Sequence, residues 1–287
     1  MPKLIVRPRT LKELWKLLPT LPAARKYLAG GTDLVTAANA GFDACGVWVD
    51  ISGLKELQSV KETKTSVIIG AGVTIAGLET SPVIRRWLPV LTAAIPHFAS
   101  PSLRNMATVG GNAANASPCA DAVCALCAER AEVILELKGK KRRLPLPALF
   151  KGPKLTGVKK DELITAFEVP KWTHTGDYLK LGPRAYFGIS KAAVALAVEL
   201  EGDKIKSASV ALASVAPVPL MAIKTAGCLT GRILNPETAR AAAVLVKTEV
   251  SPITDVRSDA DYRREMCGVL LERALLGCGV QGLGASG

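Results

Sequence analysis

The chain has 287 residues, of which 49% are hydrophobic, 22% charged and 5% aromatic, and its 37 Lys and Arg against 25 Asp and Glu give a formal net charge of +12. That hydrophobic share excludes a disordered chain, and the length exceeds one usual core, so two or three modest domains filled by Ala, Val, Leu and Ile are expected. The positive excess does not carry nucleic-acid binding, because aromatics for base stacking are scarce and no binding motif accompanies the basic residues; it suits an acidic partner or simple solubility.

Only Leu4, Ile5 and Val6 stand together before Arg7, far short of a signal peptide's apolar region. The most apolar later stretch, residues 210–223, is broken by Pro217 and Pro219 and is too short to span a hydrocarbon core of roughly 30 Å. A cytoplasmic protein with no transmembrane segment is expected.

Thr10 and Glu13 make a capping-box pattern before Leu14, Leu17 and Leu18, which predicts a helix over residues 11–18. A short strand at 26–29, a turn at Gly30-Gly31-Thr32-Asp33, a segment of helical character at 34–40 and a strand at 47–51 follow. Adjacent glycines let consecutive N–H groups approach an anion, Thr32 adds a hydroxyl, and the following helix adds the positive end of its dipole. The turn therefore suits a phosphate, although such a pair taken alone is more often a plain turn.

Residues 67–75 suggest a strand leading to a helix from about Ala76, and residues 83–94 suggest another helix. Residues 98–121 are then a long run of small and hydrogen-bonding side chains with no strand or helix pattern, and compact domains seldom keep such loops unused. Thr108, the amides around Gly110-Gly111, Asn112, Asn115 and Ser117 offer donors at close range, and Asp121 offers an acceptor suited to a ribose or ribityl hydroxyl. An Ω-loop whose Asn and Ser side chains satisfy its own backbone is the structural alternative. Two donor-rich glycine turns favour a dinucleotide over that alternative.

From Asp121 to about residue 130 the pattern is helical. Cys119, Cys124 and Cys127 have a C-x4-C-x2-C spacing used by iron–sulfur clusters, but a cluster needs a wrapping loop and a distant fourth ligand. Packed thiols are expected, as for the seven cysteines generally, whose apolar surroundings suit a reducing compartment. The basic run 138–143 between the apolar residues 133–137 and Leu144-Pro145-Leu146-Pro147 predicts a charged hairpin turn.

Ala29-Gly30-Gly31-Thr32-Asp33-Leu34, with Ala107-Thr108-Val109-Gly110-Gly111-Asn112 and Asn115-Ala116-Ser117-Pro118 followed by Asp121, closely resembles the flavin subunits of molybdenum hydroxylases. That family includes carbon monoxide dehydrogenase medium subunits and xanthine dehydrogenase flavin domains. The resemblance runs nearly end to end, since Asp50-Ile51, Ser102-Leu103-Arg104-Asn105, Glu168-Val169-Pro170, Tyr178-Leu179-Lys180, Asp255-Val256-Arg257 and Tyr262-Arg263-Arg264 also fall in family order.

The resemblance implies an α+β protein: a two-domain FAD-binding module of the PCMH (vanillyl-alcohol oxidase-like) type, plus a C-terminal three-stranded antiparallel sheet with helices. The implied units are residues 1–56, 57–174 and 175–287; residues 178–181, 192–200 and 205–212 can supply the sheet of the last, with Glu201-Gly202-Asp203 as a tight connection, and helices would follow at about 236–247 and 260–276. FAD would lie between the first two, with Ala29, Gly30, Gly31, Thr32, Asp33 and Leu34 around the pyrophosphate. Thr108, Val109, Gly110, Gly111 and Asn112, with Asn115 and Ser117, would face it from the other side. Asp121 would bind a flavin hydroxyl, Phe98 and Ile164 would lie near the flavin, and Lys180 would approach from the carboxy-terminal region. Core packing for Phe98 and Ile164, and a solvated amine for Lys180, are the plain alternatives.

The resemblance further implies a large molybdenum-cofactor subunit that oxidises the substrate and a small 2Fe-2S subunit that relays electrons. The FAD of this chain would pass them to NAD+, oxygen, a quinone or a ferredoxin, and a dimer of heterotrimers is compatible with this arrangement. No catalytic residue and no metal ligand is expected here, with His97 and His174 the only histidines. Two rival readings stay open: a stand-alone FAD oxidoreductase of the same superfamily acting directly on an organic substrate, and a flavin-free scaffold subunit.

Overall fold

Thr10 Oγ1 accepts a hydrogen bond from the Glu13 amide at 3.1 Å, while Glu13 Oε2 accepts from the Arg9 amide at 2.7 Å, so a helix starts where the capping pattern places it. In the computed structural model, which describes residues 2, 4–42, 45–184 and 187–284, this helix is α1 (Leu11–Leu17). Parts of the expected third unit, 185–186 and 285–287, lie outside the described residues. Ahead of α1 stands β1 (Leu4–Val6), which the sequence reading passed over; β2 (Arg25–Leu28), α2 (Leu34–Asn39) and β3 (Val47–Asp50) follow. The strands form a parallel sheet in the order β1-β3-β2, packed over a small core of Leu14, Leu18, Val49, Leu54, Leu57 and Leu163.

The next region carries β4 (Val60–Glu62), β5 (Ser66–Gly70), α3 (Ile75–Thr80), α4 (Pro82–Trp87), α5 (Pro89–Ala94), α6 (Pro101–Met106), α7 (Val109–Ala114) and α8 (Asp121–Ala128). It continues with β6 (Glu132–Leu137), β7 (Lys140–Pro145), the small hairpin β8 (Phe150–Gly152) and β9 (Leu155–Thr156), and β10 (Leu163–Pro170). Five of these strands make an antiparallel sheet in the order β4-β5-β10-β6-β7.

Three expectations for this region need correction. The single helix over 83–94 is two, because Pro89 has no N–H and its ring excludes the helical conformation at Leu88, which sits at φ −127° and ψ 68°. The patternless loop 98–121 contains two short helices: Ser100 caps α6 with Pro101 at its first position, and Thr108 caps α7 through the Gly111 amide. Six residues are too few to display a helical period. The basic run is not all turn, since only Lys138 and Gly139, both at positive φ, reverse the chain, and Lys140 onward forms the edge strand β7. Charged side chains on an edge discourage pairing with another sheet.

Beyond residue 174 come β11 (Thr175–Leu181), β12 (Ala192–Glu201), β13 (Lys204–Ala213), β14 (Leu220–Met221), α9 (Ile223–Leu229), α10 (Pro236–Val246) and α11 (Ala260–Gly284). The sheet is antiparallel in the order β11-β12-β13-β14, so a two-residue edge strand adds to the three expected, and α11 runs past the expected residue 276. Along β12 and β13 the side chains alternate in size. Ala193, Ala195, Ala197, Ala211 and Ala213 join the core of the middle region, whereas Val194, Leu196, Val198, Val210 and Leu212 join a core built with α10 and α11. A sheet with a two-residue period can thus present a flat small-residue face to α5 and α8 and a branched face to its own helices. Among the described residues no helix is long and apolar enough to cross a membrane.

Candidate active-site cleft

The end of β2 and the start of α7 meet at the mouth of a cleft. A Cβ on Gly30 would overlap the Met106 carbonyl oxygen, and the Asn115 Nδ2 donates to Asp33 Oδ1 at 2.9 Å, so the two glycine-bearing turns are in contact although they lie far apart in the chain. They border two abutting cavities of about 730 and 560 Å³, each within the range of small-molecule sites. Tyr27, Ala29, Gly30, Thr108, Gly111 and Ala114 line both.

The first turn is open to an acceptor. The N–H groups of Gly30, Gly31, Thr32 and Asp33 have no acceptor among the described residues. Gly31 adopts φ +73°, a conformation a side chain resists and one that anion-binding backbone nests use. With only six residues in α2, these amides matter more than any helix dipole.

The second turn behaves differently from the expectation that its amides would also face the ligand. Val109 N–H donates to the Val73 carbonyl at 3.0 Å, Gly110 N–H to the Ala71 carbonyl at 2.8 Å, and Gly111 N–H to Thr108 Oγ1 at 3.0 Å. These bonds dock α7 against the segment after β5, so of this turn's first residues only the Thr108 amide lacks an acceptor among the described residues. What the glycines contribute here is space. A Cβ on Gly110 would come within 2.6 Å of Ala71, and Gly111 presents bare backbone to both cavities. Asn112 adds an unmet demand, because its buried Oδ1 has no hydrogen-bond partner.

Of the other expected site residues, Ala29 lines both cavities, and Leu34, Phe98, Asn112 and Asn115 line the smaller, beside Gly31, Thr32 and Asp33. Ile164 lines the larger, beside a register shift in β10 between Ile164 and Ala166. Val109, Ser117, Asp121 and Lys180 line neither. Ser117 Oγ instead accepts from the Cys119 amide. Asp121 is buried, with Oδ1 accepting from Tyr178 Oη at 2.6 Å and Oδ2 from Lys180 Nζ at 2.8 Å; burial pushes its carboxyl upward against the opposing pull of Lys180.

Sequence reasoning missed several lining residues. Tyr27, Ser52, Gln58, Met106 and Glu162 face the larger cavity, and Lys154 faces the smaller, where its Nζ lies 2.6 Å from Asn115 Oδ1. One signal was available, the Gly70-Ala71-Gly72 spacing after β5: the Leu57 backbone approaches both glycines so closely that a Cβ would collide with it at Gly70.

Cys124 and Cys127 are buried in α8, where burial pushes both thiols well above their ordinary value. His174 lies away from the cleft, stacked on Trp172 with ring centroids 4.0 Å apart and Nε2 2.7 Å from Glu129 Oε2. Among the described residues no group of three or more His, Cys, Asp or Glu stands together as a metal site.

Unpartnered amides in the first turn, the Thr108 hydroxyl, and glycines where two segments touch fit an extended ligand carrying a diphosphate. Known proteins agree with that chemistry. Residues 2–172 match the family described as the FAD binding domain in molybdopterin dehydrogenase, and residues 177–278 match the CO dehydrogenase flavoprotein C-terminal domain. The carbon monoxide dehydrogenase medium chain of Hydrogenophaga pseudoflava is 30% identical over 269 residues, covering 93% of this chain and 94% of that one. The glyceraldehyde dehydrogenase medium chain of Sulfolobus acidocaldarius is 30% identical, covering 94% of this chain and 95% of its own. In three dimensions, reconstituted CO dehydrogenase from Oligotropha carboxidovorans aligns with a TM-score of 0.93 at 29% identity, over 98% of both chains.

Proposed function

Since this chain belongs to the family of FAD-binding medium subunits of molybdenum hydroxylases, an oxidoreductase subunit whose cofactor is FAD, we propose that it passes electrons between iron–sulfur clusters and an external acceptor such as NAD+, oxygen or a quinone. In this reading a large molybdenum-cofactor subunit transforms the organic substrate, and a small 2Fe-2S subunit delivers the electrons. FAD supplies the redox chemistry when bound, and the protein binds, orients and shields it.

The observation that carries the reading is the open amide nest at Gly30 to Asp33, set against the Thr108–Asn112 turn across one cleft. There the amides would hold the diphosphate, with the Thr108 hydroxyl as a further donor and Asn112 lining the wall beside them. Ala29, Leu34, Phe98 and Ile164 would pack against the ligand. Gly110 and Gly111 would keep room for it, and Val109 would anchor their helix. Asn115 would hold Asp33 away from the phosphates, and Ser117, Asp121 and Lys180 would shape the cleft from behind.

The test is a rapid-mixing experiment on the complex isolated with its partners, with and without this chain. Without it, substrate should still reduce the molybdenum and iron–sulfur centres while reduction of the external acceptor stops. Acceptor reduction at an unchanged rate without the chain, or oxidation of an organic substrate by this chain alone, contradicts the proposal.

A further inference from the structure

Tyr178 lines neither cavity and is 1% exposed, yet it starts a chain of hydrogen bonds that ends at His97, the residue before Phe98 in the wall of the smaller cavity. Its hydroxyl donates to Asp121 Oδ1 at 2.6 Å, Lys180 Nζ donates to Asp121 Oδ2 at 2.8 Å, and the same ammonium donates to the His97 carbonyl at 2.9 Å. Burial holds the Tyr178 phenol well above its ordinary value, so it keeps its proton and remains the donor.

The segment that Lys180 grips needs holding. Ala99 adopts φ +37°, in the left-handed region that side chains resist, and the preceding residue, Phe98, lines the smaller cavity. Arg104, fixed by Glu79 Oε2 at 3.1 Å, donates to the Phe98 carbonyl at 3.1 Å. Two cations therefore pin consecutive carbonyls, one from the middle region and one from β11.

We propose that Tyr178 is a positioning residue for the cofactor cleft: by fixing Asp121, and through it Lys180, it holds the His97 carbonyl and sets where Phe98 stands in the wall. The proposal rests on the flavin reading above. It predicts that the C-terminal sheet, although it lines neither cavity, controls how tightly the cleft grips FAD.

A double-mutant cycle on the complex tests it, with FAD release followed by flavin fluorescence after dilution. Tyr178→Phe should accelerate release about tenfold, the scale of one hydrogen bond to a charged group. In a Phe98→Leu background the same change should alter release by less than about twofold, because the link it cuts no longer ends on a phenyl ring. A purely structural role for Tyr178 would give equal fold-changes in both backgrounds, and that result, or no change in release, overturns the proposal. Lys180→Met cuts the same chain nearer the cleft and should show the same non-additivity with Phe98→Leu; additivity there overturns the proposal even if Tyr178→Phe does not fold. Wild-type complex without FAD overturns the flavin reading itself and the proposal with it.

Discussion

A methyl group at Gly30 would overlap the Met106 carbonyl oxygen, whereas one at Gly111 would meet only Thr108 Oγ1, at 2.9 Å. Gly30→Ala must therefore push two backbone segments apart, and we expect it to destabilise the protein by about 1–3 kcal/mol, the usual scale of overpacking. Gly31→Ala places a side chain at φ +73° and should cost about 1–2 kcal/mol from backbone strain. Thermal unfolding of both variants beside wild type checks this, and an unchanged midpoint for Gly30→Ala would mean that the two turns do not touch in solution. At this scale the glycines themselves were readable, since their lack of side chain is a property of the residue. Which amides stay free was not: Val109 and Gly110 find their acceptors on Val73 and Ala71, more than thirty residues away, and no local pattern announces such a partner.

Between elements, the strands β6, β7 and β10 carry their own electrostatics. Arg142 on β7 makes a two-pronged contact with Glu162, at 2.7 and 2.6 Å, and the Lys159 amide adds a third hydrogen bond at 2.7 Å. The Arg142 guanidinium above all, with that amide, outweighs burial and holds the Glu162 carboxyl below its ordinary value. A depressed carboxyl contributes stability that is fully present above its unfolded value and is lost as pH falls through the folded one. Arg142→Met should therefore flatten the acid limb of a plot of unfolding midpoint against pH; identical acid limbs would remove this pair from the account. Long elements with strong patterns were legible, such as α10 and the β12–β13 hairpin. The short helices α6 and α7 were not, because six residues hold under two turns, and their Pro and Thr caps read equally well as loop chemistry.

Across the whole molecule, the cleft exists because three regions are packed into fixed relations. The alanine face of β12 and β13 seats the C-terminal sheet against α5 and α8, and those helices belong to the same core as Val109 and Ala113 of α7. The parallel sheet brings its amide nest to the opposite lip, tied across by Asn115 and Asp33. The alternation of alanine with branched residues was visible in the sequence, but the identity of each face's partner is a long-range fact that only the folded chain supplies. The central claim is that this cleft holds FAD by bare backbone, and its most direct measurement is the flavin content of wild-type protein and Gly111→Val, each recovered with its natural partners and shown folded by circular dichroism. The account predicts stoichiometric FAD in wild type and none in Gly111→Val, whose side chain would occupy the cleft. FAD retained by the folded variant, or a colourless wild type that refuses added FAD, would contradict it.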